Sequence, residues 1–331
     1  PVTPGNNDLF VSSGYFPLKA GQTERIAMAI SIGNDKSDAL NNRDNAQTAY
    51  NFDYRFAKSP TPPNVTAVSG DGKVTLYWDS VAEDSYDTFM EKIGDEPKDF
   101  EGYKIYRATD LEFNDALTIT DGDGNPTFYE PYSLDGEVCQ WDLDDGISGW
   151  HPVDLNGIHF YLGDDTGLRH SFIDTDVVKG QTYYYAVVAY DFGGNENNNI
   201  IPSDSPMRLR INSLTGELDL GPNVVSVISV QPVAGYTEPE SSVEIPLVFG
   251  QSNGSIQYEI IDPLAVNSNN LYEVSFSDSA NYTLNYYLSD ISNIDNPDTL
   301  ISGYKIDDTY QPVEDGFRLS FSNIKNDDIQ I

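Results

Sequence analysis

The pattern of apolar positions centres on one stretch, QTYYYAVVAYD at residues 181–191. Nearly every position is aromatic, β-branched or alanine, which favours a β-strand. Alternation divides the apolar side chains between two faces: Tyr183, Tyr185, Val187 and Ala189 on one, and Tyr184, Ala186, Val188 and Tyr190 on the other. A half-exposed strand alternates apolar with polar residues, so both faces of this strand are expected to be covered.

Shorter stretches with the same two-residue period flank this strand and predict an antiparallel β-sandwich. In the second of them, Val74, Leu76 and Trp78 share one face. We expect the first face of the 181–191 strand to meet Trp78 and Ile105 across the sandwich. The predicted strands of this central region are 64–69, 73–79, 101–108, 171–175, 181–191 and 205–211.

The N-terminal region predicts a hairpin followed by a helix. Residues 9–32 are expected to form two strands joined by the Lys19–Gln22 turn. Residues 36–57 are expected to form a helix with Asp35 or Ser37 as its N-cap. Its asparagine content makes this helix weak alone, so packing of three aromatic side chains is expected to hold it: Tyr50, Tyr54 and Phe56. The hairpin is expected to end a preceding β domain, as in a piece of a longer polypeptide.

A second series of short strands, separated by turn residues, starts at Gly221 and predicts another sandwich. These strands are 223–232, 241–249, 254–263, 271–278, 282–290 and 316–324. The predicted domains are therefore a hairpin plus helix at 1–58, a central sandwich at 59–215 and a second β-sandwich-like domain at 221–331. The predicted fold class is mostly β, a series of sandwich modules with one short α-helix near the N-terminus.

Four motifs of the central region occur in a recognisable order. They are a proline-rich start at Pro60–Pro63, Trp78 on the second strand, Tyr103 with Ile105 in GYKIYR, and Gly180 with Tyr183 before the sixth strand. This order resembles a fibronectin type III domain, over about residues 60–211, within a multidomain secreted or cell-surface bacterial protein. The resemblance implies that Tyr183 is the tyrosine-corner residue, whose hydroxyl bonds to backbone just upstream.

Residues 109–170 depart from that family, because they hold about twice the length that one connection needs. Structureless loops of this length are uncommon in compact domains. We therefore expect this insertion to fold back over the sheet and to cover the second face of the 181–191 strand. Its expected apolar contacts are Phe128, Tyr129, Trp141, Trp150, Phe160 and Tyr161.

The composition of the chain limits the classes of partner that it can bind. The chain of 331 residues carries a formal charge of −35, which argues against nucleic acid and anionic membrane surfaces, since both require a basic footprint. Cations are favoured instead. A single cysteine, Cys139, excludes an intrachain disulfide and a cysteine-based zinc site.

The insertion contains DGDGNPT, in which oxygen-bearing side chains alternate as calcium requires of a flexible loop. The predicted Ca²⁺ ligands are Asp121, Asp123, Asn125, Thr127 and Glu130. A proline in place of the loop glycine, and the early position of the glutamate, depart from the EF-hand pattern. A solvated Asx turn is the alternative. A second acidic cluster nearby in the sequence consists of Asp142, Asp144 and Asp145, and either cluster can be extended by Asp164, Asp165, Asp174 and Asp176. Solvated turns are the alternative for these residues as well.

Catalysis receives little support from the sequence. The three histidines, His151, His159 and His170, lie outside every catalytic motif that uses histidine, and no Gly-rich loop leads into a helix. A two-carboxylate glycosidase stays open, because 53 acidic residues make many pairs. Trp141 and Trp150 are candidate carbohydrate contacts, with packing as the default alternative.

Together these patterns predict a non-catalytic, extracellular, structural or adhesive protein, a cell-surface or filament component with calcium-stabilised loops. Other copies of itself or neighbouring surface proteins are the expected partners, joined by strand addition at exposed edges. The N-terminal hairpin is the expected subunit contact. The alternatives are an accessory region of a secreted hydrolase and a carbohydrate-binding module.

Overall fold

The computed structural model describes residues 15, 17–23, 28–51, 56–195, 200–211, 215–216, 218–231, 235, 243–249, 254–267, 269–279, 282–306 and 311–322. Antiparallel strands make up most of the regular structure, and the helices are short, so the predicted mostly-β fold class is confirmed. The chain divides into two compact units, Pro1–Phe56 and Ala57–Ile331.

The described part of the first unit contains helix α1 (Lys36–Asn51). The Asp35 carboxylate accepts the backbone N–H of Ser37 at 2.8 Å and so caps the helix, which settles the choice between the two predicted caps. The helix ends before the predicted residue 57. Tyr50 is 42% and Phe56 is 64% exposed, so a large part of each of these rings, which were expected to hold the helix by packing, faces solvent. Tyr54 lies outside the described residues.

The predicted hairpin at 9–32 is described only in part, since residues 9–14, 16 and 24–27 lie outside the described residues. The turn is confirmed: the backbone N–H of Gln22 donates to the carbonyl of Lys19 at 2.9 Å, and Gly21 has a φ of 81°. The described residues 17–23 and 28–32 contain no strand.

The second unit begins with the central sandwich. Its elements are β1 (Val65–Gly70), β2 (Lys73–Trp78), a 3-10 helix (Val81–Asp84), α2 (Thr88–Ile93), β3 (Phe100–Ala108), β4 (Thr118–Thr120), β5 (Pro126–Tyr129), β6 (Ser133–Leu134), β7 (Glu137–Val138), β8 (Gln140–Asp142), β9 (Gly149–Trp150), β10 (Tyr161–Gly163), β11 (Ser171–Asp174), β12 (Thr182–Asp191), β13 (Leu209–Ile211), β14 (Leu218–Leu220) and β15 (Val224–Ile228). One sheet has the strand order β1-β2-β11, and the other has the order β15-β12-β3-β8. The remaining strands form two-stranded pairs.

Helix α2 has no counterpart among the predicted elements. The Asp87 carboxylate accepts the backbone N–H of Phe89 at 2.6 Å at its start, and Gly94, with a φ of 82°, ends it. Met90 is its buried residue. Six residues are too few to display a helical period, so the capping residues were the available signal.

The core between the two sheets confirms the first predicted face of β12. Val74, Leu76 and Trp78 of one sheet pack against Ile105 of the other. The β12 side chains in the same core are Tyr183, Tyr185, Val187 and Ala189. The backbone N–H of Val178 donates to the Tyr183 hydroxyl at 2.9 Å, the bond that the tyrosine-corner resemblance implied.

The second face of β12 is covered as well. Val188 packs with Phe113 and Tyr129 of the insertion, and Tyr190 packs with Phe160 and Leu162. Side chains from outside the insertion, which were not predicted to lie here, also pack on this face: Met207, Leu209 and Leu220. The insertion therefore belongs to the fold, as predicted, and these three side chains complete the cover of this face.

The strand predicted at 223–232 belongs to a different sheet from the one expected. We assigned it to the C-terminal domain, whereas β15 pairs with β12, Tyr183 lying opposite Val227. The stretch 205–211 was predicted as the last strand of the central sandwich. Only its end, β13, is a strand, and it pairs with β14 outside the two main sheets. The sequence alone does not show which sheet each stretch joins, because both are short and apolar. Their pairing with distant strands decides it.

The C-terminal part of the unit forms a second pair of three-stranded sheets, β16-β17-β21 and β18-β19-β20. Its strands are β16 (Val243–Glu244), β17 (Ser255–Ile260), β18 (Tyr272–Ser279), β19 (Tyr282–Asp290), β20 (Asp298–Lys305) and β21 (Phe317–Ser322). Tyr286, Leu288, Ile301, Phe317 and Leu319 fill the space between these sheets. Alternation in β19 and β21 directs these side chains inward.

Candidate functional site

The loop predicted to bind calcium connects β4 to β5. Asp121 Oδ1 accepts the backbone N–H groups of Asp123 at 3.0 Å and Asn125 at 2.8 Å. The side-chain amide of Asn156 donates to Asp121 Oδ2 at 3.2 Å and to Asp123 Oδ2 at 2.9 Å. The backbone N–H of Asn125 is the main cause that lowers the pKa of Asp121. The two carboxylates are therefore satisfied by amide donors.

Thr127 and Glu130, two further predicted ligands, have hydrogen bonds to backbone carbonyl groups. The Thr127 hydroxyl donates to the carbonyl of Asn125 at 3.1 Å, and Glu130 follows β5, with its backbone N–H bonded to Leu117. Across the described ranges, no group of three or more His, Cys, Asp or Glu side chains is arranged to hold a metal ion. The hydrogen bonds are those of an Asx turn, and calcium binding stays a prediction.

Three of the further aspartates interlock two loops. Asp142, at the end of β8, accepts the backbone N–H groups of Asp165 at 2.5 Å and Thr166 at 2.8 Å. Asp165 in turn accepts the backbone N–H of Asp145 at 2.8 Å. Gly163 lies so close to the Asp142 carboxyl that an added Cβ would overlap it. These carboxylates fix the loops of the insertion against each other.

Asp174 belongs to a separate buried network on β11. Its carboxylate is fully buried and accepts hydrogen bonds from Arg107 Nη1 at 2.8 Å, the Tyr185 hydroxyl at 2.6 Å and the Tyr132 hydroxyl at 3.2 Å. The guanidinium of Arg107 also lies 4.0 Å from the centroid of the Tyr132 ring. Asp176 forms the outer ion pair of this network, at 3.2 Å from Arg107 Nη2.

The two candidate sugar-binding tryptophans have different environments. Trp141 is 5% exposed and stacks on Trp78 in the sandwich core, with ring centroids 6.1 Å apart. A ring buried in this way has no face open to a sugar. Trp150 is 65% exposed and lies beside Tyr161 of the paired strand, at 4.8 Å between centroids. The remaining candidate for carbohydrate contact is therefore Trp150 with its neighbour Tyr161, without Trp141.

Each histidine has a hydrogen-bond partner that holds it in place. His151 Nε2 lies 3.0 Å from the carbonyl of Gly194, and His159 Nδ1 lies 2.8 Å from the carbonyl of His151. His170 Nε2 lies 2.6 Å from Glu83 Oε1. The one cysteine, Cys139, is buried, and burial raises the pKa of its thiol to about 12. A thiol of that pKa is a poor nucleophile at neutral pH.

A buried charged cluster on the second face of β12 was missed by the sequence interpretation. Lys104 of β3 is buried, with Nζ 3.4 Å from Asp204 Oδ1. The Tyr106 hydroxyl donates to Asp204 Oδ2 at 2.5 Å. A signal was present, because GYKIYR places a lysine on the same face as Tyr106 in a strand predicted to be buried. A lysine in such a position requires a partner.

None of the helices in the described part of the chain is long and apolar enough to cross a membrane. Comparison with protein-family models, with curated proteins and with solved structures found no match.

Proposed function

We propose that this chain is a non-catalytic structural or adhesive component of an extracellular surface or filament, built from serial β-sandwich modules. The observation that carries the proposal is a set of side-chain contacts across the junction between the central and C-terminal sandwiches. Such contacts let one module fix the orientation of the next. Transmission of geometry through successive modules is the property that a spacer or a fibre requires.

The junction joins polar and aromatic groups from both sandwiches. The Tyr77 hydroxyl of β2 donates to Asp262 Oδ2 at 3.2 Å, and Arg318 Nη1 of β21 donates to the Ser171 hydroxyl at 3.3 Å. The ring of His170 lies 6.3 Å from that of Tyr304. On the central module these groups lie on or beside β2 and β11, which belong to one sheet, and on the C-terminal module they come from β20, β21 and the segment after β17. Contacts spread over several elements in this way restrict rotation at the junction.

The strand arrangement of the central module supports the fibronectin type III resemblance. Leaving all the two-stranded pairs aside, the first, second and fifth strands of the central module form one sheet, and the third, fourth, sixth and seventh form the other. Crossing from sheet to sheet in this way is typical of immunoglobulin-like sandwiches. The tyrosine corner at Tyr183 is a second, independent point in favour.

Extracellular location is part of the proposal, and it rests on the resemblance to fibronectin type III modules of secreted and cell-surface bacterial proteins. An antibody raised against the chain is expected to label intact, non-permeabilised cells of the source organism, or the material that they release. Labelling that appears only after the cells are permeabilised would contradict this location.

Assembly with other copies is proposed to use the outer strands of the C-terminal sheets. Strands β18 and β20 flank β19 in their sheet, and β16 and β21 flank β17 in the other. An outer strand carries a row of backbone donors and acceptors that an added strand can satisfy. This mode needs no basic surface, which suits a chain with 53 acidic and 18 basic residues.

Calcium stiffening of the 121–127 loop is tested by thermal unfolding. Millimolar calcium is expected to raise Tm above the value in chelator, and the rise is expected to vanish in the Asp121→Ala/Asp123→Ala double variant. Asp290→Ala is the matched control, since Asp290 also accepts within an Asx turn, from the backbone of Ser292. Equal Tm values with and without calcium would remove the metal from the proposal.

Carbohydrate binding is the second candidate function, favoured by the exposed Trp150 ring beside the half-buried Tyr161 ring. Exposed aromatic faces stack on the apolar faces of sugars. If this function holds, glycan-array binding of the native chain is expected to fall at least tenfold in Trp150→Ala. Trp141→Ala removes core packing and is unsuitable, so Leu117→Ala, at another exposed apolar site of the insertion, is the control. Equal binding by Trp150→Ala and the native chain would exclude this surface.

A further inference from the structure

Lys104 lies in an apolar environment on the second face of the central sheet. It is opposite Val188 of β12 and Gln140 of β8 in the strand register, and its side chain is 6% exposed. Its Nζ atom lies 3.6 Å from the ring centroid of Phe160 and 4.5 Å from that of Tyr190. Aromatic faces therefore occupy two sides of this amine.

Asp204 supplies the carboxyl group beside that amine. Its backbone forms a bridge with Tyr190 on β12, which fixes its position over the sheet. Its Oδ1 atom lies 3.4 Å from Nζ of Lys104, and its Oδ2 atom accepts the Tyr106 hydroxyl at 2.5 Å. The strand framework thus holds the buried amine of Lys104 in contact with the carboxyl group of Asp204, whose side chain is 23% exposed.

Desolvation makes the ammonium form of Lys104 less stable here than it is in water. Burial lowers the pKa of Lys104, and the Asp204 carboxylate opposes this shift. An ammonium group has three N–H donors, whereas the contacts around Nζ comprise one carboxylate oxygen and two ring faces. A desolvated lysine of this kind is a nucleophile.

We propose that Lys104 and Asp204 form an intramolecular isopeptide bond. A proton passes from the Lys104 ammonium to the Asp204 carboxylate, and Nζ then attacks Cγ. The C–N bond forms as one C–O bond breaks, and the departing oxygen leaves as water with two of the three original ammonium protons. One neutral amide and one water molecule replace the ion pair, so atoms and charge balance without an oxidant or cofactor.

One neighbouring side chain assists this condensation. The Tyr106 hydroxyl donates to Asp204 Oδ2 and stabilises negative charge on that oxygen when Nζ attacks.

The bond would link β3 to the segment after β12, across 100 residues of sequence. It would hold the connection between these elements closed while the sheet is under tension. The inference stands on the Lys104 cluster and does not depend on the proposed function, since a folded module of any role can form the bond.

Intact-mass spectrometry of the purified, folded chain tests the proposal. The measured mass is expected to be lower than the sequence mass by that of one water molecule. In a proteolytic map, the missing water is expected in a branched species that joins the Lys104 and Asp204 peptides. A full sequence mass overturns the proposal. So does a water loss that maps to an Asp-Gly peptide as a cyclic imide, which hydroxylamine cleaves.

Variants assign the bond to its residues. Lys104→Arg and Asp204→Ala are each expected to have their full sequence mass. Lys179→Arg is the matched control, because Lys179 pairs with Asp71 at the surface and its loss is expected to leave the deficit unchanged. A deficit that persists in Lys104→Arg overturns the proposal. If either variant fails to fold, the peptide map of the native chain decides by itself.

Discussion

Asp174→Ala is expected to lower the free energy of unfolding of the central sandwich by about 3–5 kcal/mol, the usual cost of removing one partner from a buried ion pair. The Asp174 carboxylate is fully buried and binds Arg107, Tyr132 and Tyr185 together. Its removal leaves a guanidinium, 18% exposed, without its inner partner and two hydroxyl groups without their acceptor. Urea unfolding followed by tryptophan fluorescence measures this loss.

Asp176→Ala is the control for this effect. Asp176 pairs with the same guanidinium at 3.2 Å, but its side chain is 74% exposed. An exposed ion pair contributes at most about 1 kcal/mol, so this variant is expected to unfold close to the native midpoint. Equal losses from the two variants would show that burial of the Asp174 network does not determine its contribution.

The protein is expected to be more stable at pH 6 than at pH 9. Burial is the main cause that raises the pKa of Glu101 to about 8, with Asp145, Asp142 and Asp165 adding to it. Burial likewise raises the pKa of Asp191 to about 8. The folded state therefore keeps protons on these carboxyl groups at pH values where the unfolded chain has released them.

The direction of the change follows from proton linkage. Between about pH 4.5 and 8, the unfolded chain binds fewer protons at Glu101 than the folded chain does, so the free energy of unfolding falls as pH rises. The fall is about 1.4 kcal/mol per pH unit for each group that titrates independently. Thermal unfolding at intervals from pH 5 to pH 9 measures the slope.

Glu101→Gln isolates one of these groups. The side chain is 1% exposed, and its Oε1 atom has no hydrogen-bond partner among the described residues, so a neutral amide of the same shape relieves a buried charge. We expect this variant to gain about 2–5 kcal/mol at pH 9 and to match the native chain near pH 5. Glu137→Gln, at an exposed position, is the control. An unchanged pH slope in Glu101→Gln would contradict the assignment.

Much of the central sandwich could be predicted because β-strand alternation is a local property. The apolar character of both faces of β12 predicted that two layers would cover it, and Val187 and Val188 do lie in separate cores. Tyr183 and its hydroxyl contact were accessible in the same way, since the tyrosine corner spans a few residues. Features whose determinants lie within one strand and its adjoining turn were therefore predictable.

The remaining features depend on pairings between distant residues. Nothing within 223–232 distinguishes a strand that pairs with β12 from one that starts the next module. The pairing of β15 with β12 assigns it to the central sandwich. Trp141 and Trp150 occupy equally acidic surroundings in the sequence, yet only the first pairs its strand with β3 and enters the core. The proximity of Lys104 to Asp204 arises across 100 residues, beyond any local pattern.

Electron microscopy of the native extracellular material of the source organism, with an antibody label on this chain, tests the structural function most directly. We expect ordered fibres or a regular surface layer, labelled along its length. Label on dispersed, unordered particles would contradict the proposal that the chain is a structural component.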